Sequence, residues 1–356
     1  MDESRRLEWN EFVASTPSFG LLQSYEWGEL KERLGWKAVR LAVVRQGNIA
    51  AAAQMLIKPI ARGLLSIAYI PRGPLVDWED RETVTCLLDA LHLEARSHKA
   101  ICMRIEPPLL NGSDQNSLLL SYGFRPAEHT NQPRCTMRVA LPTDMEELLA
   151  ALPSSTRYNI RKSQRKGVTV EVGTAEDLAT FCQLMDVTSE RSDFTVRSPD
   201  YYEKEWQTFS QLGQARLVIA RYKGMPIAAQ MPFYFGPHAA TFHAGSLNEY
   251  RNLKAGYLMM WAAMCWAREQ GCCTFDLWGI PDEVGELTAR GESIPEGKTE
   301  GLWGVYYYKR AFGGEVVYYV GAYDYVYTPV PYRTMEFAAS RLGSVDKLAR
   351  IGDRFS

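Results

Sequence analysis

The chain has 356 residues, long for one core and comfortable for two domains of ordinary size. With 46% hydrophobic and 23% charged residues it is a folded globular protein, and a formal net charge of −2 excludes a global field that would draw it to nucleic acid or a membrane. Any anion site must therefore arise from local clustering. The seven cysteines are scattered and odd in number, which suits reduced thiols and not a disulfide framework. Cys272 and Cys273 are neighbours in a strand-like run, where side chains point to opposite faces, so they make a poor metal chelate. The N-terminus MDESRRLEWNEF has no apolar signal-peptide core, and no run approaches the roughly 18–20 apolar residues that span a bilayer. The expected location is cytoplasmic.

In chain order, residues 1–36 read as helices, with Ser24 as N-cap of YEWGELKERL and Gly35 at its end. Strands are expected at 37–45 and 49–58 around a tight Gln46-Gly47-Asn48 turn, and at 64–70 before the Pro71-Arg72-Gly73-Pro74 loop. Val84, Leu87, Leu88 and Leu91 give residues 81–99 a helical period. A strand at 100–106 stops at Pro107-Pro108, a helix covers 113–122, and another strand begins at 124–129. A domain boundary falls near Leu141-Pro142, and Thr143 and Glu146 have the spacing of a capping box. The next helix, SSTRYNIRKSQRKG, is strongly basic, with Arg157, Arg161 and Arg165 four apart on one face. A solvated face is the ordinary reading of such a run; a phosphate-binding stripe is the sharper one.

A strand at 168–172, a helix from Thr174 to about Arg191, and a polar loop with Arg197 and Tyr201 follow. Strands at 216–221, 227–235 and 240–245 precede a buried helix at 253–269 and a strand at 274–278. After a loop rich in Gly and Glu, residues 301–314 (GLWGVYYYKRAFGG) read as an aromatic helix ending at Gly313, with Lys309 either solvated or facing an anionic ligand. Residues 41–55 (LAVVRQGNIAAAAQM) and 217–231 (LVIARYKGMPIAAQM) align without a gap, and the order of elements around them also repeats. A period this long means duplicated domains.

Antiparallel hairpins followed by strand–helix–strand–helix–strand suggest an α/β (α+β) chain of two GNAT-like acyltransferase domains. The expected R/Q-x-x-G-x-G/A coenzyme A cradle is matched only by Arg251–Gly256, where Lys254 replaces the first Gly. The chain resembles the Fem family of aminoacyl-tRNA-dependent transferases that build peptidoglycan cross-bridges. The resemblance rests on QSYEWGELKERLGW (23–36), IPRGP (70–74), MRIEP (103–107), YNIRKSQRKGV (158–168), RSPDY (197–201), HAGS (243–246), FDLWG (275–279) and YYKRAFG (307–313). It implies a second domain inserted into the first, so that residues 1–142 with 322–356 form one GNAT-like domain and 143–321 the other. No heptad run marks a coiled-coil arm.

Carried over residue by residue, the resemblance makes Lys31 and Arg197 cations for the diphosphate of a cell-wall precursor and Tyr201 an aromatic of the same pocket. It makes Glu106 an acid in the cleft, and Tyr308 and Lys309 the pair near the tRNA acceptor end. A tyrosine that relatives use beside the acid falls on Ile101. The implied reaction is aminolysis of the aminoacyl ester by a stem-peptide amine. The activated ester supplies the driving force, so no cofactor or metal is expected. Lys309 would stabilise developing charge, and Glu106 would orient or deprotonate the amine. The implied partners are aminoacyl-tRNA and a UDP-linked or lipid-linked muropeptide, the latter at the membrane periphery. An acyl-CoA-dependent N-acyltransferase and a non-catalytic precursor- or tRNA-binding relative are the competing readings.

Overall fold

The computed structural model of the protein describes residues 3–191 and 196–342. In the first part, helices α1 (Arg6–Ser15) and α2 (Tyr25–Arg33) precede strands β1 (Lys37–Arg45), β2 (Asn48–Ile60) and β3 (Leu65–Ile70). Helix α3 (Arg81–Ser97), β4 (Ala100–Ile105), α4 (Ser113–Ser121) and β5 (Arg125–Pro126) complete it. The middle part holds β6 (Cys135–Ala140), α5 (Met145–Ala151), α6 (Ser154–Arg165), β7 (Val168–Gly173), α7 (Leu178–Arg191) and α8 (Pro199–Ser210). It continues through β8 (Leu217–Tyr222), β9 (Met225–Phe235), β10 (His238–Ser246), α9 (Ala255–Glu269), β11 (Thr274–Gly279), α10 (Asp282–Ala289), α11 (Trp303–Arg310) and β12 (Glu315–Tyr318). The chain then adds β13 (Tyr323–Val326) and α12 (Pro329–Leu342).

The chain divides into two compact units, residues 1–134 with 318–356, and 135–317. The portion of the first unit beyond residue 342 lies outside the described residues. Its six-stranded sheet runs β1-β2-β3-β4-β13-β5. β1 and β2 form an antiparallel hairpin from Arg45↔Asn48 back to Lys37↔Ile57, while β3 and β4 pair in parallel because α3 carries the chain across between them. The apolar face predicted for α3 is buried: Val84, Leu87, Leu88 and Leu91 pack with Met55, Ile57, Met103, Ile105 and Phe124. Each such side chain contributes about 1.5–3 kcal/mol by leaving water. The second unit is a seven-stranded sheet, β12-β6-β11-β10-β9-β8-β7. A core of Leu152, Ile160, Val218, Ile227, Leu258 and Met259 ties α6 and α9 to it.

The repeated hairpins are β1–β2 and β8–β9, and the shared glutamine does the same work in each unit. Gln54 is buried and donates to the Ser24 carbonyl at 2.8 Å, fixing the start of α2; Gln230 is buried and donates to the Met259 carbonyl at 2.8 Å within α9. In each unit the amide N–H of a buried strand glutamine thus finds a carbonyl acceptor on, or at the start of, a helix.

Several elements differ from the sequence expectation. The strand expected at 124–129 shrinks to two residues, and the loop that follows is held at Asn131 and Gln132, whose N–H groups donate to Glu106. The stretch 135–140 is a full strand, and it pairs with β11 (Phe275↔Val139), so it belongs to the second unit's sheet and not before a break at Leu141-Pro142. Asp144, not Thr143, caps α5 by accepting from the Glu146 N–H. The polar loop after Arg197 is in fact helix α8, started by Ser198 as N-cap with Pro199 in the first turn, and the Gly/Glu-rich loop contains α10.

Candidate functional site

In the second unit the chemistry gathers where the sheet opens. β10 and β11 pair only from His238↔Thr274 to Ala240↔Asp276; beyond that the β10 register shifts between Thr241 and His243, and β11 turns away with Trp278 at φ +67°. A bulge and a left-handed aromatic residue at the same level splay two parallel strands, and Phe242 and Trp278 face each other at 4.4 Å across the split. Asp276 braces the turn: its carboxylate accepts from the Trp278 N–H at 2.7 Å and from the Thr136 hydroxyl at 3.1 Å.

Lys309 ends at this split. Its helix α11 buries Trp303 and Tyr306, as expected for core aromatics, and buries Lys309 with them at 9% exposure. The Nζ donates to the Gly279 carbonyl, the last residue of β11, at 2.7 Å. Burial pushes its pKa down from 10.5 to about 7, with Asp276 pulling the other way. Tyr308, next to it, donates its hydroxyl to the Gly256 carbonyl at 2.7 Å and packs on Tyr257 and Phe312. Burial raises the Tyr308 pKa. Arg310 points outward and pairs with Glu296 at 2.8 Å.

Arg197 and Tyr201 share one corner, with the Arg197 guanidinium 5.3 Å from the Tyr201 ring centre. The Ser198 cap sets this geometry by accepting from the Tyr201 N–H. One turn further along α8, Glu205 is fully buried, and its Oε2 lies 3.0 Å from His243 Nε2 on β10. The approach is out of line, so neither group completes a hydrogen bond there. Sequence reasoning passed over this pair, although His243 stands in the HAGS segment and Glu205 four residues after Tyr201.

In the first unit, Lys31 lies on α2 with its Nζ 4.7 Å from the Trp27 ring, a cation held over an indole one turn back. Glu106 follows β4 and is buried. Its Oε1 accepts from the Asn131 and Gln132 N–H groups at 2.6 and 3.0 Å, and its Oε2 from the Tyr69 hydroxyl at 2.5 Å. Burial raises its pKa, while the Tyr69 hydroxyl, the two N–H donors and Arg72 oppose the rise. Tyr69, on β3, lies outside every segment singled out from the sequence for the family resemblance. Its hydroxyl also accepts from Gln132 Nε2 at 3.0 Å. Ile101, at the position of the relatives' tyrosine, is wholly buried core.

The three arginines of α6 part company. Arg157 donates to the Ala150 carbonyl at 2.8 Å and to that of Leu152, closing the end of α5. Arg161 and Arg165 are exposed. All seven cysteines are free thiols. Among the described residues no cluster of three or more His, Cys, Asp or Glu is placed to hold a metal, and no helix is long and apolar enough to cross a membrane.

Comparison with known proteins bears on the fold and the reaction class. The FemAB family profile matches residues 5–117, and a profile described as an acetyltransferase (GNAT) domain matches residues 154–310. The lipid II:glycine glycyltransferase of Staphylococcus aureus (strain MRSA252) is 25% identical over 94% of this chain and 94% of its own length. Among solved structures, FemX superposes with a TM-score of 0.80 over 93% of this chain and 98% of its own, at 24% identity. A tandem GNAT protein from the clavulanic acid biosynthesis pathway superposes at 0.54 over 91% and 95%, at 13% identity. The chain is thus similar to Fem-family proteins, and its fold is a tandem of two GNAT-like units.

Proposed function

We propose that this chain transfers an amino acid from aminoacyl-tRNA to an amine on the stem peptide of a peptidoglycan precursor, forming part of an interpeptide bridge. Similarity along nearly the whole chain to a lipid II:glycine glycyltransferase supports the reaction class and the precursor. The observation that carries the reading is Lys309, a buried lysine anchored on the Gly279 carbonyl beside the split between β10 and β11.

The bond that forms is amide N–C; the bond that breaks joins the acyl carbon to the ribose oxygen. The neutral amine attacks, its nitrogen loses a proton as the amide forms, and the leaving ribose oxygen gains one. A lysine whose pKa lies at about 7 holds both protonation states near neutral pH. As ammonium, Lys309 donates to the oxyanion of the tetrahedral intermediate; as donor of a proton, it serves the leaving ribose oxygen. Tyr308 fixes the start of α9 against α11 and so holds the lysine's helix in place. Lys31, Arg197 and Tyr201 are the residues we assign to precursor binding. Glu106 sets the loop at Asn131 and Gln132 and presents Tyr69 beside it.

The coenzyme A reading is weakened by the first turn of α9. Lys254 stands there at φ +60°, and the Tyr308 hydroxyl lies 3.4 Å from where a Gly256 Cβ would be, so the turn that would cradle a pyrophosphate is packed by an aromatic ring. Incubation with a full set of charged tRNAs and either a UDP-linked or a lipid-linked muropeptide, followed by mass spectrometry of the precursor, tests the proposal. A gain of one amino-acid residue is expected. Release of coenzyme A from acyl-CoA with no gain from any charged tRNA overturns it.

A further inference from the structure

Helix α6 has a buried face of Thr156, Ile160 and Ser163, spaced for one side of a helix. The opposite side carries Tyr158, Arg161, Lys162 and Arg165, again at three- and four-residue spacing, and none of the twelve residues of α6 is acidic. Tyr158 is 55% exposed, an unusual place for a large aromatic ring. Lys162 Nζ lies 5.7 Å and the Arg165 guanidinium 5.8 Å from its centre, so an exposed ring has two cations beside it. Within the same unit this helix is bolted to the one bearing Lys309. The buried Thr156 hydroxyl donates to the Ala311 carbonyl at 2.5 Å, closing the last turn of α11.

We propose that the α6 face formed by Tyr158, Arg161, Lys162 and Arg165 is the docking surface for the single-stranded end of the donor RNA, with phosphates on the three cations and a base stacked on Tyr158. Two features select this occupant. A run of cations without acids, on a chain whose net charge is −2, is complementary to a phosphodiester backbone. An exposed ring among those cations supplies the flat surface on which an unpaired base stacks. Arg157 is not part of the surface, because it closes α5. The Thr156 bond ties α6 to the end of α11 from its buried side, so an RNA held on the exposed side of α6 is docked on an element fixed to the helix that bears Lys309. The proposal rests on aminoacyl-tRNA being the donor, yet RNA binding is measured without any transfer.

The test uses the full chain, uncharged tRNA as probe, and fluorescence anisotropy across a series of salt concentrations. Arg161→Gln, Lys162→Gln and Arg165→Gln combined should weaken binding at least about tenfold and lower the slope of log affinity against log salt by about 2, since each single-strand phosphate contact contributes about 0.7. Tyr158→Leu should weaken binding by about 5- to 100-fold, and Tyr158→Phe should retain it, because stacking needs only the ring. These substitutions are on the exposed side, and unfolding midpoints matching the wild type establish that the fold is intact. Wild-type affinity and slope in the triple variant overturn the proposal. So does loss of binding to phosphatidylglycerol vesicles in that variant with tRNA affinity unchanged, which makes the face a membrane contact. If the wild type binds tRNA through α6 but transfers nothing from any charged tRNA, the docking surface stands and the reading of the reaction fails.

Discussion

Replacing Lys309 by Met isolates what it means to bury this ammonium. Methionine keeps the length and apolar stem and removes the charge. In the folded chain the lysine has its pKa lowered from 10.5 to about 7 by burial; in the unfolded chain it keeps the ordinary value. Between those two pH values the unfolded chain binds more protons than the folded one, so wild-type stability rises with pH across the window. Below pH 7 both states are protonated and the full penalty is present; above 10.5 both are neutral and it is gone. At about 1.4 kcal/mol per unit, the window amounts to roughly 4–5 kcal/mol. The variant lacks this term at every pH. It also leaves the Gly279 carbonyl without its 2.7 Å donor, a loss of about 1–3 kcal/mol that does not vary with pH. The unfolding free energy of Lys309→Met minus that of wild type should therefore shift towards the variant by about 1.4 kcal/mol for each unit the pH falls from 9 to 7, then level off. Urea denaturation at half-unit steps from pH 6 to 9.5 measures it. A difference that stays flat from pH 7 to 9 refutes the burial argument. In the transfer assay the same variant should lose about 100-fold or more in rate, the scale of removing one donor to an oxyanion.

Other substitutions test the frame around the site. Glu106→Gln turns one carboxylate oxygen into a donor facing two N–H groups or a hydroxyl; stability should fall by about 1–3 kcal/mol, and hydrogen exchange at Asn131 and Gln132 should accelerate. Arg104→Met leaves Asp324 and Glu336 buried without their bidentate and single partners at 2.7–3.0 Å, and unfolding should become easier by about 3–5 kcal/mol. Gly245→Ala puts a Cβ 2.5 Å from the Leu184 carbonyl oxygen, a backbone contact that cannot rotate away; a Tm drop of several degrees is expected, from a loss of about 1–3 kcal/mol.

The long periodic elements were legible because their signals are local. The α3 stripe, the β1–β2 hairpin with its Gln46-Gly47 turn, and the Ser24 cap each follow from residues within a few positions of one another. The duplicated Ala-Ala-Gln-Met was legible as a repeat, but not why the glutamine recurs; that depends on the carbonyls of Ser24 and Met259, about thirty residues away in the chain in each case. β6 was missed because CTMRVA is short and takes its place in the sheet only by pairing with β11, more than a hundred residues on. The α8 start, by contrast, was present as Ser198-Pro199 and was outweighed by the polar look of its surroundings. At the site, Lys309 and Arg157 show the limit most clearly. Both belong to charged runs that read as solvated, and only the fold separates them from Arg310 and Arg161, their exposed neighbours.

The place of β13 in the first sheet has a consequence for synthesis on the ribosome. β13 sits between β4 and β5, and it comes from the far side of an entire inserted unit. When β4 and β5 emerge, the strand that must join them has not been made. The intervening residues 135–317 take about 10–40 s to translate at ordinary rates. Throughout that interval the nascent first unit presents an unpaired edge along β4, while the second unit, continuous in sequence, can close as soon as β12 is out. The part of the chain that begins first is thus completed last, and its exposed edge is the point at which a nascent-chain chaperone, or a second nascent copy, would compete for β4.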